Sequence, residues 1–323
     1  MFAVNFCARL FEPTEFSFSF VDPAHTGNTT VPKTLTVLTL NAKQLYLDPS
    51  IPHSKRRFEI YSLANQILFV HADIVFLQEV GSLEALQTLV AVTGDQFAPM
   101  LIHGNEFGDI AVLVRKTLPF RFEYKTHREL GSQDGRPILV RDLPSLHIFA
   151  QGRTRAFLTL IGVHLKANRG DPVRDQQKRK GEIAQAEILA RDLEGMAEDP
   201  TQRPRPLALV GDFQAEMRNS PELLGLYNSG YRDVLDFSDL EPDDRITSWT
   251  GARGSQWHGN QIDGLLANTA LVPAIVSSAV IPNLTAGGGI SETPGSLQER
   301  NALSTDHLGV ATVFDLPMLL ARP

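Results

Sequence analysis

Short apolar runs that each end in one polar residue recur along the chain and set its pattern. Pro206 to Val210, P-L-A-L-V, has the length of a buried strand and stops at Gly211 and Asp212. Thr34 to Leu40, T-L-T-V-L-T-L, ends in Asn41, and D-I-V-F-L-Q-E from Asp73 ends in Glu79. Phe157 to Val163 ends in His164. Two later runs invert the order: Asp263 lies near the start of Gln261 to Ala267, and Asp306 with His307 precedes Leu308 to Phe314. If these groups share one rim, the later strands run antiparallel to the earlier ones. That predicts mixed sheets and argues against a parallel barrel or a doubly wound sheet.

The remaining pattern supplies covering helices and an edge. Phe16 to Val21, F-S-F-S-F-V, alternates strictly, as expected of an N-terminal strand added to a sheet edge. Ile60, Leu63, Ala64, Ile67 and Leu68 fall on one helical face, and Ser82 is placed to cap a second helix with Leu83, Leu86 and Val90 inward. Ile183, Ala186, Ala190 and Leu193 mark a third helix, and Ser220-Pro221 reads as the start of a fourth. Ile110 to Arg115 is a short strand, and R-P-I-L-V from Arg136 to Val140 reads as extended. Glu198 to Pro206 has linker composition but reads as a loop, because residues on both sides of it contribute polar tips. The expected organisation is an N-terminal extension over 1–33 and a single domain over 34–323.

Composition narrows the functions open to such a chain. With 42% hydrophobic residues among 323, it has material for a substantial core, and a formal charge of -7 is no polybasic footprint. A nucleic acid partner then requires bound cations to help neutralise phosphate. Cys7 is the only cysteine, so neither an intrachain disulfide nor a thiolate cluster can form, which points to a reducing, cytoplasmic location. The N-terminus lacks the basic start of a secretion signal, and no segment has the apolar length of a membrane span, so stable membrane insertion is not expected.

Asn, Glu, three Asp and two His without cysteine form a hard-oxygen and imidazole set. It suits Mg2+, with Mn2+ or Ca2+ as alternatives, better than zinc. A divalent cation beside His and Asp fits hydrolysis of phosphate esters, in which metal and donors stabilise the developing charge. No G-x-S-x-G elbow supports a serine triad, and A-G-G-G-I at Ala286 to Ile290 lacks the following G-K-[ST] of a P-loop.

The ordered series L-T-L-N, F-L-Q-E-V, V-H-L-K, V-G-D-F-Q, Q-I-D and S-T-D-H resembles the endonuclease/exonuclease/phosphatase superfamily, over roughly Thr34 to Phe314. Pancreatic deoxyribonuclease, abasic-site endonucleases, neutral sphingomyelinases and inositol-polyphosphate 5-phosphatases are members. The resemblance implies an α+β four-layer sandwich, two packed mixed β-sheets flanked by helices, with the site at one end. It implies Glu79 as the principal metal ligand with Asn41 and Asp306 beside it, and Asp212 orienting or deprotonating water. His307 would contact the scissile phosphate, held in its tautomer by Asp263. His164 would donate to a phosphate oxygen or the leaving group, Arg136 and Lys166 would touch substrate, and the base is Asp212 or His307.

Departures from the family pattern are specific. Gln214 replaces the usual asparagine of G-D-F-N, and an extra methylene displacing its amide by about 1 Å would cost on the order of 100-fold in rate. Thr305 replaces the serine of S-D-H, and the lysine after the glutamate and the Trp-Asn opening of abasic-site endonucleases are missing. Glu106 and Asp109 are candidate partners of His164, and Trp249, Trp257 and His258 could stack on a base or headgroup. The clusters Lys55 to Arg57 and Arg174 to Lys180 read as solvated helix faces, with contact to phosphates as the alternative for either. The expected activity is a metal-dependent phosphodiester hydrolase, nuclease-like, with nucleic acid as substrate. A phospholipid, sphingomyelin or inositol-phosphate enzyme on the same scaffold is the alternative, and a weak phospho-ligand or protein-binding member is a third reading, prompted by Gln214.

Overall fold

The computed structural model describes residues 15–19, 31–47, 50, 55–104, 108–131, 138–167, 170–195, 204–250 and 258–322. The alternating and apolar runs build two mixed sheets. One has seven strands in the order β1 (Glu15–Ser19), β6 (Arg121–Lys125), β7 (Ser145–Phe149), β8 (Leu158–His164), β9 (Leu207–Asp212), β13 (Asp263–Ala267) and β10 (Arg232–Asp233). The other has six, ordered β14 (Ile275–Ile281), β15 (Gly309–Asp315), β2 (Thr34–Leu45), β3 (Ile74–Val80), β5 (Asp109–Arg115) and β4 (Phe97–Leu101). A ribbon of β11 (Ser248–Thr250) and β12 (His258–Asn260) stands apart from both.

Successive strand residues face opposite ways, so each sheet has two apolar faces to cover. Leu35, Val37, Ile74 and Phe76 of the six-stranded sheet meet Leu158, Leu160, Ala208 and Val210 of the seven-stranded sheet in one core. The alternate residues Leu38, Leu40, Val75 and Leu77 pack against α1 (Arg57–Phe69) and α2 (Leu83–Val92). On the opposite outer face Ile161, Val163, Leu207 and Leu209 pack against α3 (Pro172–Leu193) and α4 (Leu224–Asn228). The result is helix, sheet, sheet, helix. Asp171 caps α3 by accepting from the backbone N–H groups of Val173 and Arg174, with Pro172 in the first turn. Two short helices, α5 (Leu297–Ala302) and α6 (Leu316–Leu320), complete the chain. No helix among the described residues is long and apolar enough to cross a membrane.

The inverted tips follow the expected strand directions. β2 and β3 are parallel, as are β8 and β9, so Asn41, Glu79, His164 and Asp212 emerge at strand ends. β13 runs antiparallel to β9 with Asp263 opposite Asp212, and β15 runs antiparallel to β2 with Asp306 and His307 just before it. β1 pairs with β6 at the edge of the larger sheet.

Three local expectations are corrected. Leu83 is 46% exposed, because the buried stripe of α2 is Ala85, Leu86, Leu89 and Val90 and Leu83 sits roughly a quarter turn away from its centre. Arg136 and Pro137 lie outside the described residues, while Ile138 to Val140 forms no strand; the Val140 N–H donates to Glu182 Oε1 at 3.1 Å in place of a sheet partner. Ser220 does not open a helix, since its hydroxyl closes a turn with Glu222 over Pro221 and α4 starts only at Leu224.

Candidate active site

Strand ends deliver the site because regular pairing breaks there. The register of β2 against β3 shifts between Asn41 and Leu45, and that of β3 against β5 between Leu77 and Val80. In those gaps Lys43, Gln44 and Glu79 take left-handed φ values of 45°, 57° and 60°, and Gln214 does the same at 52° after β9. These are four of the six non-glycine residues with positive φ among the described residues. Such conformations are costly for side chains of this size and gather where a site fixes them. Gly211 answers a different need: at φ 151° a Cβ there would stand 1.9 Å from the Val163 carbonyl oxygen. Glycine lets β8 and β9 close together one residue before their tips, where His164 and Asp212 are register partners.

Asn41, buried at 0% exposure, joins two carboxylates. Its Nδ2 donates to Glu79 Oε1 at 3.3 Å and to Asp212 Oδ2 at 3.1 Å, while its Oδ1 accepts from the Lys43 N–H at 2.9 Å. Gln44 N–H donates to Glu79 Oε2 at 3.1 Å. Asp212 also accepts from Gln214, through the backbone N–H at 2.9 Å and through Nε2 at 2.5 Å. The longer side chain of Gln214 thus folds back onto Asp212, made local by the left-handed backbone.

His307 Nδ1 lies 2.8 Å from Asp263 Oδ2 and 4.0 Å from Asp212 Oδ2, which leaves Nε2 as the ring atom able to reach the cleft. Thr247 steadies the pair: its hydroxyl accepts from the N–H groups of Ile262 and Asp263, both at 3.0 Å. Thr305 accepts from the His307 N–H at 3.2 Å and donates to the Asn41 carbonyl at 2.5 Å, so the residue in place of the family serine ties the β15 approach to β2. His164 is 1% exposed at its side chain, with Nε2 3.9 Å from Glu79 Oε1 and 3.8 Å from Asp212 Oδ2.

Electrostatics assign the cluster different charge states. Burial alone would lower the pKa of His307, but the charge and hydrogen bond of Asp263, with Asp212 and Asp306 beyond, push it up to about 10. Burial and the neighbouring Asp263 raise Asp212 to about 6, against the opposing pull of His307, Gln214 and Asn41. Asp306 is held below the usual carboxylate range; burial opposes this, but His307, Arg300 and Lys43 outweigh it. Lys55 is brought down to about 8 by burial, partly countered by Glu59. At neutral pH His307 is a cation and Asp212 mostly an anion.

These groups open onto a cleft of about 830 Å³ lined by Glu79, Gln214, Asp306 and His307, among others. Its lining adds Lys43, Lys55, Arg56 and Arg300, the acids Glu59 and Glu216, and Ser248, His258 and Asn260 of the β11–β12 ribbon. Glu79 fits a divalent cation: its carboxylate is 13% exposed at the cleft, with Oε1 accepting from Asn41 and Oε2 from the Gln44 N–H. Asp306 shares the cleft but is paired with Arg300. Ligand atoms of Asp212, Asp263 and His307 lie within 4.8 Å of one another, yet all three residues are buried and the imidazole Nδ1 is engaged by Asp263, which is the geometry of a proton-holding group.

Lys166 is half-buried; its N–H donates to Glu182 Oε2 at 2.7 Å and its carbonyl accepts from Arg179, and Ala167 beside it lines the cleft. Arg136, Glu106 and Trp257 lie outside the described residues. Asp109 engages His103 Nδ1 at 2.6 Å. Trp249 is buried at 6% exposure and presents no stacking face. The basic clusters are not merely solvated: Lys55 is 5% exposed and lines the cleft, and Arg179 is buried in a pair with Glu222 at 2.8 Å. Lys43, Gln44 and Arg300 escaped sequence reasoning because register breaks and a short helix bring them in, and neither leaves an apolar pattern.

The chain is a four-layer sandwich with carboxylates, an amide and imidazoles gathered at one end. Structural comparison shows its fold: the chain has the endonuclease/exonuclease/phosphatase fold. It is similar to TDP2 from D. rerio complexed with single strand DNA product, at 15% identity and a TM-score of 0.57 over 88% of this chain and 99% of that one. Truncated TDP2 from Caenorhabditis elegans aligns at 15% identity and TM-score 0.56, covering 87% and 98%. An endonuclease/exonuclease/phosphatase family protein from Leptotrichia buccalis aligns at 18% and 0.55, covering 87% and 100%. No family model and no curated protein matches the sequence.

Proposed function

We propose that this protein is a divalent-cation-dependent phosphodiester hydrolase acting on nucleic acid. The observation that carries the reading is the buried Asp263–His307 pair set beside Asp212, with His307, Glu79 and Asp306 on one cleft. The similarity to TDP2 crystallised with a single-strand DNA product supports nucleic acid as the substrate. Mg2+ is the cation the hard-oxygen donors favour, with Glu79 holding it and Asn41 and Asp306 beside it. When bound, such a cation neutralises phosphate oxygens and polarises the phosphorus centre.

The chain's own residues divide the remaining work. His307, kept cationic by Asp263, donates from Nε2 to a non-bridging phosphate oxygen as charge builds on it. Asp212, ionised at neutral pH and oriented by Asn41 and Gln214, accepts the proton of the attacking water. In this reading Asp212 is the base, because the Asp263 carboxylate 2.8 Å from His307 Nδ1 favours the protonated imidazole. His164 Nε2 stands between two carboxylates, 3.9 Å from Glu79 Oε1 and 3.8 Å from Asp212 Oδ2.

A substrate panel tests the reading. Oligonucleotide, bis-p-nitrophenyl phosphate, sphingomyelin and inositol phosphates are incubated with Mg2+ or Mn2+, scoring strand scission, nitrophenolate, phosphocholine and inorganic phosphate. Turnover of the oligonucleotide is expected. Release of phosphocholine or inorganic phosphate alone would transfer the protein to the lipid or inositol-phosphate class.

A further inference from the structure

Asp306 and His307 reach the cleft on a stretch between α5 and β15 that belongs to neither element. Side chains from distant parts of the chain hold the carbonyls along its approach. Lys43 Nζ donates to the carbonyls of Asn301 at 3.2 Å and Leu303 at 3.3 Å, Lys55 Nζ donates to that of Ser304, and Asn283 Nδ2 donates to that of Thr305 at 3.2 Å. The Ser304 hydroxyl lies 2.7 Å from Ser62 Oγ and acts as the donor there, because the Ser62 proton is used on the Leu284 carbonyl.

Lys55 stands out among these donors. It is 5% exposed, whereas Lys43 is only half-buried, and lysine is seldom buried so far without a fixed partner. Its N–H donates to the Tyr46 carbonyl at 2.6 Å, which anchors it to the chain leaving β2. The stem then carries the ammonium to Ser304, two residues before Asp306 and three before His307. Glu59, Asp306 and Glu79 favour its charge against burial and Lys43, and all three acids line the same cleft. The charge is therefore balanced within the lining, and the specific directional contact of the ammonium is with backbone.

We propose that Lys55 is a positioning residue of the hydrolase: through the Ser304 carbonyl it fixes the backbone from which Asp306 and His307 enter the cleft, without touching the reacting phosphate itself. The inference rests on the hydrolase reading and deepens it. His307 Nδ1 holds Asp263 Oδ2 at 2.8 Å, so the ring is aimed correctly only while its backbone stays in place. A displacement of about 1 Å at such a group costs on the order of 100-fold in rate. Because His307 and Asp306 act on charge that develops in the transition state, the loss falls on kcat and spares KM.

The test is Lys55→Met, which keeps the volume of the stem and removes the ammonium, assayed on bis-p-nitrophenyl phosphate with Mn2+. Relative to wild type, kcat is expected to fall on the order of 100-fold with KM within about twofold. Made in a His307→Gln background, the same change is expected to cost less than about threefold, since the group it positions is already gone. A spectroscopic readout accompanies the kinetics. The downfield proton resonance of the His307–Asp263 hydrogen bond, assigned by its loss in His307→Gln, is expected to shift in Lys55→Met. A raised KM with unchanged kcat would mark a substrate contact, equal losses in both backgrounds an effect independent of His307, and a lowered thermal midpoint with unchanged kcat mere packing. Each of these overturns the proposal, as does an unmoved resonance. If wild type turns over no phosphodiester, the hydrolase reading fails and the resonance alone decides the positioning: shifted upholds it, unmoved overturns it. Should Lys55→Met not fold, Lys55→Gln, with a polar head on a stem one atom shorter, takes its place in the same measurements.

Discussion

Replacing Asp263 with asparagine isolates the charge that keeps His307 protonated. The substitution preserves shape and a hydrogen-bonding group while removing a buried anion 2.8 Å from Nδ1. At an effective dielectric of about 20, two unit charges at that distance attract by roughly 6 kcal/mol, worth about four pKa units. That matches in scale the rise of His307 from 6.5 to about 10. Without Asp263, burial dominates and His307 is largely neutral at pH 8. The wild-type pH–rate profile should rise through about 6 as Asp212 ionises and fall through about 10 as His307 loses its proton. In Asp263→Asn the alkaline limb moves down by several units, and kcat/KM at pH 8 drops on the order of 100-fold. The assay is kcat/KM for bis-p-nitrophenyl phosphate between pH 5 and 10 at fixed Mn2+. A variant whose alkaline limb stays in place would refute the reasoning, because His307 would then owe its charge to something other than Asp263.

Further expected outcomes concern the parts around that pair. Asn41→Ala removes donors from both Glu79 and Asp212; losing a bond to its ionised form raises Asp212 further, so the acidic limb moves to higher pH and kcat falls, as read from the same profile. Gly211→Ala places a Cβ 1.9 Å from the Val163 carbonyl oxygen and should cost on the order of 3 kcal/mol, seen as a lowered thermal midpoint. Arg179→Met strands Glu222 without its partner in a buried site and should cost about 3–5 kcal/mol in urea unfolding, whereas replacing both residues by apolar ones restores much of it. Stability also varies with pH at Asp212: its folded pKa lies above the unfolded 3.8, so ionisation above about 6 costs stability, and that cost fades as pH falls from about 6 to 3.8.

Strand-end chemistry was legible because the fold separates apolar interior from polar tip over one or two residues. L-A-L-V-G-D reads as a strand and its acid without knowledge of the partner strand, and the reversed order at Asp263 and His307 carried the antiparallel direction of β13 and β15. What stayed hidden depends on nonlocal partners. β14, I-V-S-S-A-V-I, exposes Val276, Ser277 and Ala279, so its pattern is too broken to stand out. Lys43, Lys55, Arg56 and Arg300 reach the cleft from the end of β2, the start of α1 and α5, segments separated by up to 257 positions (Lys43 to Arg300). Gln214 looked like a damaging change because the family asparagine is shorter; its backbone at φ 52° turns the longer side chain onto Asp212, a compensation visible only in three dimensions.

The central claim is that Glu79 and the Asp263-held His307 act together on a phosphodiester with a divalent cation. It is tested most directly by scission of an end-labelled single-stranded oligonucleotide by wild type, Glu79→Gln and His307→Gln, each with Mg2+ and with EDTA. The account predicts Mg2+-dependent scission by wild type, abolished by EDTA, and at least about 100-fold slower in both variants. Scission that survives EDTA, or proceeds at the wild-type rate in either variant, would contradict it.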